Sequence, residues 1–187
     1  MATGTELFSL MTSCRDYFAQ ISALICDVDS TLAESGFPVP KQFANLACFL
    51  LNGNPRQPTH WGPRYLVRAY ARSEWNDDYN HAFWGFFCIY PNPDEFTEPV
   101  AAWGTAEPKD VGEYRNKTMK VLGIISKPRF LKELKYEQWV RSPFAPDVGR
   151  VCYRACPLVA LSSPDVVEKL VIQPLRERLV ELNRLHP

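Results

Sequence analysis

The sequence predicts an α+β fold: a mostly antiparallel sheet of about five to six strands, flanked by a long N-terminal amphipathic helix and a C-terminal helix. Three observations carry that expectation. Apolar residues at alternating steps of four and three run unbroken from Leu7 to Leu32. Runs with strand periodicity fill the middle of the chain, and Ser163-Pro164-Asp165 opens a second amphipathic pattern that reaches Leu185.

The first element is the clearest. Leu7, Met11, Cys14, Phe18, Ile21, Ile25, Val28 and Leu32 form an a/d seam, which Leu10, Tyr17 and Leu24 widen. Thr5 is the expected N-cap with Glu6 in the first turn, and Gly36 before Pro38 and Pro40 is the expected stop. A helix over 5–35 follows, about 45 Å long at 1.5 Å per residue. On it Asp27 and Asp29 are expected to be solvated. Lys41 to Leu51, with Phe43, Leu46, Ala47, Phe49 and Leu50, reads as a second, shorter helix ending at Asn52-Gly53.

Strands come next. Arg64 to Arg72 alternates, with Tyr65, Val67, Ala69 and Ala71 on one face and Arg64, Leu66, Arg68, Tyr70 and Arg72 on the other. His81 to Tyr90 is apolar on both faces, the pattern of a central strand covered on both sides. Pro99 to Ala106 is the third strand. Met119 to Ser126 reads as a further strand, Pro128 to Leu134 as a short helix, and Tyr136–Val140 and Gly149–Leu161 as two more strands. Ser163 caps the last helix over 163–185, Pro164 occupies its first position and Pro174 should kink it. The whole is expected to be one domain over 1–187, with a sheet-containing core over 41–161.

Composition narrows the function classes. Hydrophobic residues make up 46% and charged residues 22%, as in folded globular proteins. The 21 basic and 21 acidic residues cancel, which argues against nucleic acid or anionic lipid as a partner. No run of about 18 apolar residues is present, so no membrane span is expected. No basic segment followed by an apolar one opens the chain, so no secretory signal is expected either. Cysteines 14, 26, 48, 88, 152 and 156 lie in apolar segments without framework spacing. They are expected to be reduced, buried thiols of a cytoplasmic protein.

Several residues are candidates for chemistry. Arg64, Arg68 and Arg72 share a strand face and could bind phosphate or a nucleic-acid backbone. The plainer reading is a solvent face neutralised by Glu74, Asp77 and Asp78. Cys152-x-x-x-Cys156 has the wrong gap for a zinc knuckle and no second pair to complete it, and His60, His81 and His186 stand outside any nucleophile constellation. Trp84-Gly85 and Trp103-Gly104 fall at similar places in neighbouring strands, where aromatic rings beside glycines could line an apolar pocket. Trp84, Gly85, Trp103 and Arg68 are therefore the candidate ligand-binding residues.

One segment has a second reading. Ala23-Leu24-Ile25-Cys26-Asp27-Val28-Asp29-Ser30-Thr31 resembles the strand and DxDST motif of haloacid-dehalogenase-like phosphatases. That resemblance implies Asp27 as nucleophile, Asp29 as acid and base, and a shared Mg2+, with Ser126 and Lys127 or Lys132 near the phosphate. After Ser126 the adjacent acidic pair of that family is missing. The order of elements resembles small sensor domains of the GAF and PAS kind. The expectation taken forward is a non-enzymatic small-molecule-sensing or protein-interaction module without a cofactor. It should self-associate through the N-terminal helix.

Overall fold

The computed structural model describes residues 3–41, 47–50, 63–72, 82–91, 96–108, 125, 131, 134–142 and 149–186. Helix α1 (Gly4–Glu34) is one unbroken helix. Its cap is Thr3, two residues before the expected Thr5. The Glu6 amide donates to Thr3 Oγ1 at 3.3 Å and the Thr3 amide to Glu6 Oε2 at 2.6 Å, closing a capping box. Those bonds favour the carboxylate and hold the Glu6 carboxyl below its ordinary pKa. At the other end Gly36 takes φ +87, a conformation a side chain would strain. The Phe37 amide then donates to Leu32 O at 2.9 Å, so Gly36 is the stop the sequence marks.

Six strands follow among the described residues: β1 (Ala47–Leu50), β2 (Pro63–Tyr70), β3 (Trp84–Tyr90), β4 (Val100–Pro108), β5 (Val140–Arg141) and β6 (Gly149–Pro157). They form one sheet in the order β1-β2-β3-β4-β6-β5, and every neighbouring pair is antiparallel. With α1 and the C-terminal helix this is the α+β fold the sequence predicts.

Four local expectations are corrected. Ala47–Leu50 is not helical but an edge strand paired with β2. A short apolar run satisfies both periods, and here the free edge of β2 decides. Ile125 within the expected strand 119–126 is helical, while the rest of that segment lies outside the described residues. Leu131 and Leu134 are not helical, against the helix expected at Pro128–Leu134. The strand expected at Tyr136–Val140 shrinks to Val140–Arg141 after a bend. Arg154 on β6 draws that bend in, donating to Tyr136 O at 3.0 Å and standing 4.9 Å over the Trp139 ring.

The terminal helix is built in three parts: α2 (Pro164–Val167), a π-helical turn (Glu168–Ile172) and α3 (Gln173–Leu185). Ser163 Oγ accepts from the Val166 amide at 3.4 Å, the cap expected of it. Pro174 has no amide hydrogen for the carbonyl four residues back. The widened turn answers that loss: the Gln173 amide donates to Glu168 O, five residues back.

Both faces of the sheet are buried. On one, Ile21, Ile25, Val28 and Leu32 of α1 and Leu175, Leu179 and Leu182 of α3 pack on a layer including Tyr70, Phe87 and Trp103. On the other, Phe86, Cys88, Tyr90 and Tyr153 pack with Ile125, whose carbonyl accepts from the Tyr90 hydroxyl. Every residue of β3 is buried, as its two-sided apolar pattern requires.

Candidate functional site

The sheet register sorts the candidate ligand-binding residues. Arg68 stands opposite Phe87, Phe87 opposite Trp103, and Trp103 opposite Arg154, so one row crosses four strands beneath the helices. Gly85 lies on that helix-covered side as well, against Leu179. Trp84 faces the opposite side with Ala69 and Ala71. Trp84 and Trp103 therefore lie on opposite faces, and both are 0% exposed in filled core.

The glycines have packing duties. A Cβ on Gly104 would lie 2.1 Å from Cys152 O and 2.8 Å from Tyr153 Cα, so β6 can approach only because that side chain is absent. A Cβ on Gly85 would meet both Leu179 methyls at 3.1 Å. The approach the sequence marks is made by a neighbouring strand and a helix.

Asp27 and Asp29 both lie on α1, where residues two apart point to well-separated directions. Asp27 is exposed. Asp29 is not solvated, which corrects the expectation: it is bonded by Arg68 Nε at 2.9 Å and Arg68 Nη2, and by the Tyr70 hydroxyl at 2.9 Å. The strand end and the converging carboxylates of the phosphatase resemblance are thus not formed. Ser126, Lys127 and Lys132 lie outside the described residues.

Two of the three arginines are likewise engaged. Arg68 is held by Asp29, and Arg72 Nη1 donates to His186 O at 3.3 Å. The Arg64 side chain, Glu74, Asp77, Asp78, His60 and His81 lie outside the described residues. Tyr70, fully buried, has its hydroxyl pKa pushed well up by desolvation and then by the Asp29 carboxylate. No group of three or more metal-ligating side chains occurs among the described residues.

The thiols divide. Cys88 and Cys156 are buried and Cys152 is intermediate, but Cys14 and Cys26 are exposed on α1, which corrects the expectation for those two. The side chain of Cys48 lies outside the described residues.

The unabsorbed surface lies on α1. Only the C-terminal half of its seam is buried. In the N-terminal half Leu7 is 52% exposed, Phe8 75%, Leu10 62% and Met11 72%, with Phe18 and Cys14 also exposed. Leu7, Met11, Cys14 and Phe18, flanked by Leu10, continue the line that further on holds the sheet, and Phe8 stands to one side of it.

Beside this surface is a cleft of about 420 Å³. Its apolar walls are Ile21 and Leu24 of α1, Pro99 before β4, and Leu158 and Leu161 after β6. Val159, 77% exposed in the 3₁₀ turn Leu158–Ala160, forms a lip. The polar groups are Tyr17, Gln20, Glu98 and Ser162. Burial pushes the Tyr17 hydroxyl pKa up, and its oxygen has no hydrogen-bond partner among the described residues.

Of these residues the sequence marks Ile21 as part of the seam and Tyr17 and Leu24 as its flanks, but nothing in it marks a cleft. Glu98 lies outside every expected element, and Val159 falls in the strand expected over Gly149–Leu161, which instead ends at Pro157 and passes into the 3₁₀ turn Leu158–Ala160. No helix among the described residues is long and apolar enough to cross a membrane. Comparison with protein-family models, curated proteins and solved structures found no match.

Proposed function

We propose that this chain is a protein-interaction module that self-associates through the N-terminal half of α1. The observation that carries the reading is the exposure of Leu7, Phe8, Leu10 and Met11 on consecutive turns of one helix. Scattered apolar residues on a surface need no explanation, but a contiguous stripe of large ones marks an interaction site. The occupant is a second copy. Leu7, Met11, Cys14 and Phe18 keep the a/d spacing that lets one helix receive the knobs of another. Between Gly4 and Gln20 the only charged residues are Glu6, Arg15 and Asp16, so two such helices meet with little charge to desolvate.

Sedimentation velocity over a concentration series tests this. Wild-type protein should dimerise, Met11→Glu should be monomeric, and Ser13→Glu, off the seam on the same helix, should behave as wild type. Met11 and Ser13 are both exposed, so neither change threatens folding. A wild-type monomer at every concentration would overturn the reading.

A further inference from the structure

We infer that the cleft between α1 and the connection after β6 binds an amphiphilic organic cation, an ammonium group carrying a hydrocarbon tail. The cleft volume, about 420 Å³, lies within the range of small-molecule sites. Its walls supply the tail's environment: Ile21, Leu24, Pro99, Leu158 and Leu161.

The head group follows from charge. Among the described residues Glu98 is the one charged group in the lining, and it has no ion-pair partner among them. Among the described residues no lysine, arginine or histidine lines the cleft, so an anion would meet the Glu98 carboxylate without a counter-charge from them. Gln20 and Ser162 add acceptor oxygens, and Tyr17 adds an aromatic ring. A carboxylate, neutral acceptors and an aromatic face are the groups that recognise ammonium. This site is separate from the Leu7–Met11 surface, and its occupancy requires no self-association.

The test uses n-octylammonium as probe, below its micelle-forming concentration, with 1-octanol and octanoate as comparators, read by isothermal titration calorimetry and two-dimensional amide NMR. Octylammonium should bind more tightly than octanol, octanoate should be weakest, and the shifts should centre on residues 17–24 and 158–162. Glu98→Gln should weaken octylammonium by roughly three- to fivefold while leaving octanol unchanged, the size of an exposed charge pair. Tyr17→Phe keeps the ring and should keep affinity, whereas Tyr17→Leu should lower it. Ser162→Trp, at an exposed position, should block all three probes. Absence of octylammonium binding, octanoate binding as tightly, or indifference to Glu98→Gln would each overturn the inference.

Discussion

Tyr70 donates its hydroxyl hydrogen to the Asp29 carboxylate at 2.9 Å, tying β2 to the C-terminal turns of α1. Arg68, two residues earlier on the same strand face, grips the same carboxylate through Nε and Nη2. Their side chains are only 12% and 18% exposed for Arg68 and Asp29, so the pair is shielded more than a surface ion pair. Asp29 therefore adds a polar tie between α1 and β2 to the apolar packing of Ile21, Ile25, Val28 and Leu32.

Replacing Asp29 by Ala should cost about 2 kcal/mol, the range of a hydrogen-bonded charged group. Asp27→Ala, one of the exposed residues nearby, should change stability by less than about 0.5 kcal/mol. Urea unfolding of the two variants separates the roles, and equal effects would contradict the geometry. The same pair bears on chemistry: if catalysis required both carboxylates, Asp29 could not be committed to Arg68 and Tyr70.

The glycines give a second contrast. Gly104→Ala should destabilise by about 3 kcal/mol, because its Cβ meets backbone of β6 that cannot move alone. Gly85→Ala should cost about 1 kcal/mol, since the Leu179 methyls it meets at 3.1 Å can turn aside. In the Leu179→Ala background the Gly85→Ala cost should shrink, and a thermodynamic cycle measures that coupling. An additive result would show that Leu179 is not what Gly85 accommodates.

How much of this was legible follows from the range over which each signal acts. The seam from Leu7 to Leu32 is local, and α1 formed where it said, with Gly36 as its stop. Periodicity reports an apolar face, not its cover, so the seam did not reveal that Ile21 is buried while Met11 is bare. Ala47–Leu50 needed knowledge of β2, its partner in the sheet. Asp29 and Arg68 are 39 residues apart, beyond any pattern along one element. The cleft was least visible of all, since Glu98 reaches it from a connection and Val159 from a 3₁₀ turn where the strand pattern is expected to run on.

Stability should fall in alkali. Burial pushes the Cys88 and Cys156 thiols up to about 12, against about 8.5 in an unfolded chain. A neutral thiol favoured by folding stabilises the native state fully below the unfolded pKa. That contribution fades as pH rises, because the unfolded chain loses its proton first. Each thiol should remove about 1.4 kcal/mol per pH unit between roughly pH 9 and 12. Tyr70, raised in the same direction, should add to the loss above about pH 10. Urea unfolding of Cys88→Ala across this window should show a shallower slope than wild type, and an unchanged slope would refute the assignment.

Thiol labelling joins the fold to the proposed pairing. Cys14 and Cys26 are exposed on α1, whereas Cys88 and Cys156 are buried, so a thiol reagent should modify the first two quickly and the latter only on unfolding. Cys14 lies on the a/d seam between Met11 and Phe18, and Cys26 lies off it. A second copy seated on the exposed half of α1 covers Cys14 and leaves Cys26 open. Raising the protein concentration should therefore slow Cys14 modification by severalfold with Cys26 unchanged, as followed by peptide mass spectrometry. In Met11→Glu the Cys14 rate should no longer depend on concentration. If both thiols slowed together, the contact would lie elsewhere on the helix, and if neither did, α1 would have no second copy upon it.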